Sequence, residues 1–173
     1  MTFGYNSTVA DKKSEDRLQD WADELLQQVG YVRISPEERE RPIIFVCHSM
    51  GGLVGRHAML RLNAQPAKFK GIKLEQCGLL FLSTPHYGTT QADWNTFLVS
   101  LCELTMGVRS HAIVEQLQSF NPSSVDSEEA FATMKKLPPY YCLCEGDRTK
   151  VLGMNRLVRQ QSAFFLFKVR HPY

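Results

Sequence analysis

The sequence predicts an α/β fold built on a mostly parallel sheet, with helices on both faces. Short apolar runs rich in branched and aromatic residues recur along the chain, at Ile43 to Val46, Gly78 to Ser83 and Tyr140 to Cys144. Segments with helical periodicity lie between them, and buried strands alternating with helices are the signature of a parallel sheet covered on each side. No internal repeat or low-complexity segment interrupts the pattern. At 173 residues the chain is expected to form one domain with a short appended tail.

Composition narrows the function classes. Hydrophobic residues make up 43% and charged residues 22% of the chain, as in ordinary soluble globular proteins. A net charge of +2, with no basic stripe interleaved with aromatics, argues against nucleic acid as a partner. Five cysteines without a signal peptide favour a reducing compartment and free thiols. Cys142 and Cys144 share one face of a strand, but two thiols without a second pair or nearby histidines make a poor zinc site. No apolar run approaches the ~18 residues of a membrane span.

The elements follow in order. Residues 1–6 look like the end of a strand, with a turn at Asn6 and Ser7. Ser14 suits a helix N-cap, with Glu15 and Asp16 complementing the dipole. Leu18, Trp21, Leu25 and Val29 then fall on one helical face, and Gly30 supplies the stop. A polar stretch from Ser35 to Arg41 leads into the first apolar strand; a helix from Gly51 to about Asn63 follows, and Pro66 to Glu75 connects it to the second strand. Past Gly88, Trp94, Phe97, Leu98 and Leu101 suit an amphipathic helix, Ile113, Leu117 and Phe120 another, and Phe131 with Met134 a third. These read either as a cap over a substrate pocket or as ordinary crossover helices.

The chemistry concentrates at Ile43 to Val54. An apolar strand ends at Ser49, and Gly51 and Gly52 open a helix-like run. Strand, sharp turn, helix, with serine at the apex, is the layout of a nucleophile elbow. The turn strains the serine backbone and projects its hydroxyl above the sheet edge. Gly51 would let neighbouring backbone approach, and the Met50 N–H, with the helix dipole behind it, would face an oxyanion. That geometry serves acyl transfer. The usual pattern is Gly-x-Ser-x-Gly, and Cys47 stands in for the first glycine. The strand ending at Ser83 then runs into Thr84-Pro85-His86-Tyr87-Gly88.

On these pieces the chain resembles the α/β-hydrolase superfamily. More narrowly, it is similar to serine esterases that include lipase-like domains of fungal proteins and the serine active-site-containing protein family. Phe3-Gly4-Tyr5-Asn6, Phe45 to Val54, Phe81 to Gly88 and Ala92-Asp93-Trp94 carry the likeness. It covers about residues 1–150 as a hydrolase-like domain and leaves 151–173 as a divergent tail. The resemblance implies a partial hydrolase fold whose N-terminal strands are missing. One of those strands would lie beside the nucleophile strand, so Ile43 to Val46 would otherwise be left as an open apolar edge, which folded proteins avoid. Met1 then looks like an internal methionine of a longer ancestor or the start of a shortened gene.

The resemblance also assigns roles. It matches the nucleophile to Ser49, places the acid where Glu145 stands, and puts the base near the C-terminus; a second oxyanion donor would come from a His-Gly loop that this chain lacks. Triad chemistry needs a hydroxyl, an imidazole to take its proton and a carboxylate to fix the tautomer. Glu145 is preferred to Asp147 because it directly follows the strand. His171 is the only histidine after the acid, so the order serine, acid, histidine nominates it. His48 abuts Ser49 and its ring points elsewhere; His57 packs on the elbow helix or faces its surface; His86 hydrogen-bonds its own turn; His111 is solvated.

The expected function is hydrolysis of acyl esters, lipid esters included, through an acyl-Ser49 intermediate with the Met50 N–H in the oxyanion hole. No metal or organic cofactor is implied. The rival is an inactive or truncated hydrolase module serving interaction or regulation, with a protein partner completing the sheet; related fungal domains are fused to nucleotide-binding and repeat modules. The expected location is the cytoplasm, or the surface of an organelle membrane (mitochondrion or endoplasmic reticulum by resemblance).

Overall fold

The computed structural model describes residues 1–5, 14–82, 84, 126–127 and 129–143. Helix α1 spans Ser14–Tyr31 and buries Leu18, Trp21, Leu25 and Val29, the apolar stripe that the periodicity predicted, together with Ala22 and Leu26. The helix begins at Ser14 itself rather than after it. It also continues one residue past Gly30, so this glycine does not end it. What Gly30 allows is a close approach, since a Cβ there would lie 2.9 Å from the Lys70 carbonyl oxygen.

The polar stretch that follows is not all linker. Pro36–Glu40 forms a short helix, α2, closed by a reciprocal capping box between Ser35 and Glu38. Ser35 Oγ accepts from the Glu38 N–H at 3.2 Å, and Glu38 Oε2 accepts from the Ser35 N–H at 2.9 Å. Arg33 pins this segment down by donating to the Gly71 and Arg41 carbonyls at 2.9 and 2.7 Å.

Strand β1 (Ile43–His48), helix α3 (Gly51–Ala64), strand β2 (Cys77–Leu82) and strand β3 (Tyr140–Leu143) complete the frame, with single 3-10 turns at Pro66–Lys68 and Leu74–Gln76. The three strands are parallel in the order β1-β2-β3. Phe45 pairs with Leu79, and Leu79 with Tyr140. This is a partial, open α/β sheet, as the sequence predicted.

Side chains alternate across the sheet as its pleat requires. Phe45 and Cys47 of β1 and Cys77, Leu79 and Phe81 of β2 are buried on the face covered by α3, and α1 packs in turn against α3. Phe81, Phe131 and Tyr140 close that core edge to edge, with ring centroids 5.6 to 6.4 Å apart. On the opposite face Ile44, Val46, Tyr141 and Leu143 are each more than half exposed. Among the described residues, then, helices cover one face only, and β1 pairs on one side only.

Residues 1–5 form no strand. Phe3 and Tyr5 instead pack against the core, the Tyr5 ring 4.5 Å from that of Trp21. The expected helices at Trp94 to Leu101 and Ile113 to Phe120, and the tail 151–173, lie outside the described residues.

Candidate active site

Ser49 occupies the bend between β1 and α3 with φ 54°, the one non-glycine residue in the left-handed region among those described. That conformation places Cβ against the following carbonyl and costs roughly 1–2 kcal/mol. Three backbone hydrogen bonds hold it there. The Ser49 N–H donates to the Leu82 carbonyl at 2.9 Å, tying the bend to the end of the neighbouring strand. The Gly52 N–H donates to the Ser49 carbonyl and the Leu53 N–H to the Met50 carbonyl, both at 3.0 Å, and these close the first turn of α3.

The Ser49 hydroxyl sits at the carboxyl end of the sheet, where open α/β sheets bind ligands. The residue is buried, 6% exposed, and Oγ has no hydrogen-bond partner among the described residues. Met50 is the residue before the first turn of α3, itself buried, and no backbone acceptor for its N–H lies among the described residues. A backbone N–H beside a hydroxyl at a helix start is a group of the kind that can stabilise an oxyanion.

The space around the bend is tight, though not at the glycine singled out from sequence. A Cβ on Gly51 would meet no described atom within 4 Å. A Cβ on Gly52 would overlap the side chain of Thr84, coming 2.7 Å from its Cβ, and one on Gly55 would lie 2.7 Å from Cys47 Sγ. The cysteine that replaces the usual glycine thus fills room that Gly55 leaves on the facing helix. Burial pushes the Cys47 thiol up to about 11, so it stays protonated at neutral pH and acts as an apolar wedge. Sequence reasoning missed this pairing and missed Thr84. The signal was present in glycines three residues apart on one helix, at 52 and 55, where a close neighbour is met on one face.

His48 is exposed on the same side as Ile44 and Val46, turned away from the buried hydroxyl next to it, as the tight turn demands. His57 is buried within α3. No imidazole or carboxylate among the described residues hydrogen-bonds the Ser49 hydroxyl. Glu145, Asp147, His86, His111 and His171 lie outside the described residues. Among the described residues no cluster of three or more His, Cys, Asp or Glu side chains could hold a metal, and no helix is long and apolar enough to cross a membrane.

A family model described as "Putative serine esterase (DUF676)" matches residues 5–131, more than half of the chain and all of the strand–bend–helix unit. The chain belongs to this serine esterase family. The family match ends before Glu145 and His171. Among curated relatives, Protein SERAC1 of Danio rerio is 43% identical over 56 residues, and Protein SERAC1 of Homo sapiens is 32% identical over 56 residues. The Bos taurus protein of that name is 34% identical over the same length. In each case the matched stretch covers 32% of this chain and 8% of the relative. No solved structure matches the chain.

Proposed function

We propose that this esterase-family chain hydrolyses acyl esters through an acyl-Ser49 intermediate, with the Met50 N–H donating to the oxyanion. One observation carries the reading: a serine held at φ 54° between a parallel strand and a helix N-terminus. Backbone strain of this kind persists only where the surroundings enforce it, and it collects at reacting groups. In the proposed reaction the Ser49 oxygen attacks the ester carbonyl, its proton passes to an imidazole, and the alcohol leaves; water then releases the acid. His171 is the proposed base and Glu145 the carboxylate that orients it. Lipid esters are the proposed substrate class, and the surface of an organelle membrane or the cytoplasm the proposed location. No metal or organic cofactor takes part in this scheme.

The test is covalent. A fluorophosphonate probe should phosphonylate Ser49 in the chain and leave Ser49→Ala unmarked, with the adduct placed by peptide mass spectrometry. A wild-type chain that stays unlabelled at Ser49 under conditions where it is folded overturns the reading.

A second reading has its own support. The exposed Ile44 and Val46 of β1, on a strand paired along one side among the described residues, favour a module whose sheet a protein partner completes. Such a module binds without turnover, and the same probe separates the two.

A further inference from the structure

Two hydroxyls, not one, are buried without a hydrogen-bond partner among the described residues where β1 and β2 end. Ser49 follows β1, and Thr84 lies two residues past β2; the Ser49 N–H to Leu82 carbonyl bond at 2.9 Å holds these strand ends side by side. Thr84 is 4% exposed, and its Oγ1 has no hydrogen-bond partner among the described residues. Its side chain rests on Gly52, in the first turn of α3, at a place where any larger residue would collide with it. Shape alone does not explain a threonine here. Valine would fill the same space with no polar atom to bury, whereas a buried hydroxyl without a partner is destabilising and calls for an explanation.

We infer that Thr84 is a substrate-contacting residue, whose hydroxyl donates a hydrogen bond to an oxygen of the bound acyl ester. This rests on the esterase reading above. The ends of β1 and β2, the N-terminus of α3 and two hydroxyls unpaired among the described residues are neighbours at the carboxyl edge of the sheet, and an ester group offers acceptor oxygens for them. Gly52 keeps the first turn of α3 bare so that the Thr84 side chain can sit against it.

The experiment measures the second-order rate at which a fluorophosphonate, whose phosphoryl oxygen stands in for the ester oxygen, labels Ser49 in the full chain. Thr84→Val should label roughly 10- to 100-fold more slowly, while melting no lower than wild type. Thr84→Ser, which keeps the hydroxyl, should stay within about threefold of wild type. Equal rates for wild type and Thr84→Val overturn the inference, as does a Thr84→Ser rate as slow as that of Thr84→Val. If Thr84→Val does not fold, Thr84→Ser against Thr84→Ala asks the same question, and equal rates for that pair overturn it. A wild-type chain that takes no label sinks the esterase reading itself and this inference with it.

Discussion

Ser49 carries two local costs, a left-handed backbone and a buried hydroxyl unpartnered among the described residues. Glycine would relieve both. Ser49→Gly should therefore raise stability by roughly 1 kcal/mol while losing all covalent labelling, and thermal melts of the two proteins check the sign. A melt lower than wild type would mean that the serine side chain supports the fold. Two residues before it, Cys47 makes a separable prediction. Gly55→Ala forces a methyl onto Cys47 Sγ and should cost roughly 1–3 kcal/mol, as overpacking of a filled core does. Cys47→Ala in the same chain removes the clash and should recover most of that loss, because the Cys47 Cβ lies an ordinary 3.8 Å from the added methyl. Urea denaturation of the four proteins gives the coupling directly; additive losses would show that the two residues do not share the space. Of these features the sequence disclosed the serine, whose flanking strand and helix are periodic. It did not disclose the Cys47–Gly55 and Gly52–Thr84 contacts, which depend on how closely a helix approaches a sheet.

The helices are joined by a charged clamp that no local pattern reveals. Asp23 of α1 accepts two hydrogen bonds from Arg61 of α3, at 2.8 and 2.7 Å, and one from Lys68 at 2.6 Å. Burial alone would raise the Asp23 pKa, but the hydrogen bonds and charges of Arg61 and Lys68 outweigh it and hold the carboxyl below its ordinary value. A depressed folded-state pKa means the contribution is complete above the unfolded value of about 4 and is lost as pH falls through the folded one. Asp23→Asn should cost roughly 1–3 kcal/mol at neutral pH. The gap between it and wild type should close as the solution is acidified below pH 4. Denaturant midpoints measured across that range decide it; a gap that stays constant with pH would mean the carboxylate charge is not what binds α1 to α3. The amphipathic stripe of α1 was plain in the sequence, because Leu18, Trp21, Leu25 and Val29 repeat at helical spacing. Helix α2 was missed, because its five residues are too few for a periodic signal and Ser35 to Arg41 read as a polar stretch, although Ser35, Pro36 and Glu38 are the capping-box residues that mark its start.

At the scale of the whole molecule, the parallel sheet is a slice of an α/β fold with one apolar face exposed among the described residues. Ile44 and Val46 are 73% and 62% exposed, so replacing Val46 should leave the fold intact. Val46→Lys should change stability by no more than about 0.5 kcal/mol and should reduce self-association, as sedimentation over a concentration series would register. A variant that unfolds would instead mean that this face is covered and the valine buried. The fold class could be read from the apolar runs and the helices between them, whereas the open flank of β1 came only from the resemblance to hydrolases that carry a further strand there. Which helix lies on which face could not, because one stretch of sequence periodicity fits either side of a sheet.

Parallel register has a kinetic corollary. Phe45 meets Leu79 only after α3 has been traversed, and Leu79 meets Tyr140 only after a far longer excursion of chain. No hairpin can nucleate such a sheet, and each pairing must first overcome the entropy of closing its loop. Closing the chain between Ser49 and Leu82 costs about as much as bringing Asp23 to Arg61, since the two spans are of similar length. The geometry on which the chemistry depends is therefore fixed by a contact distant in sequence, and the strand–bend–helix segment does not hold it alone.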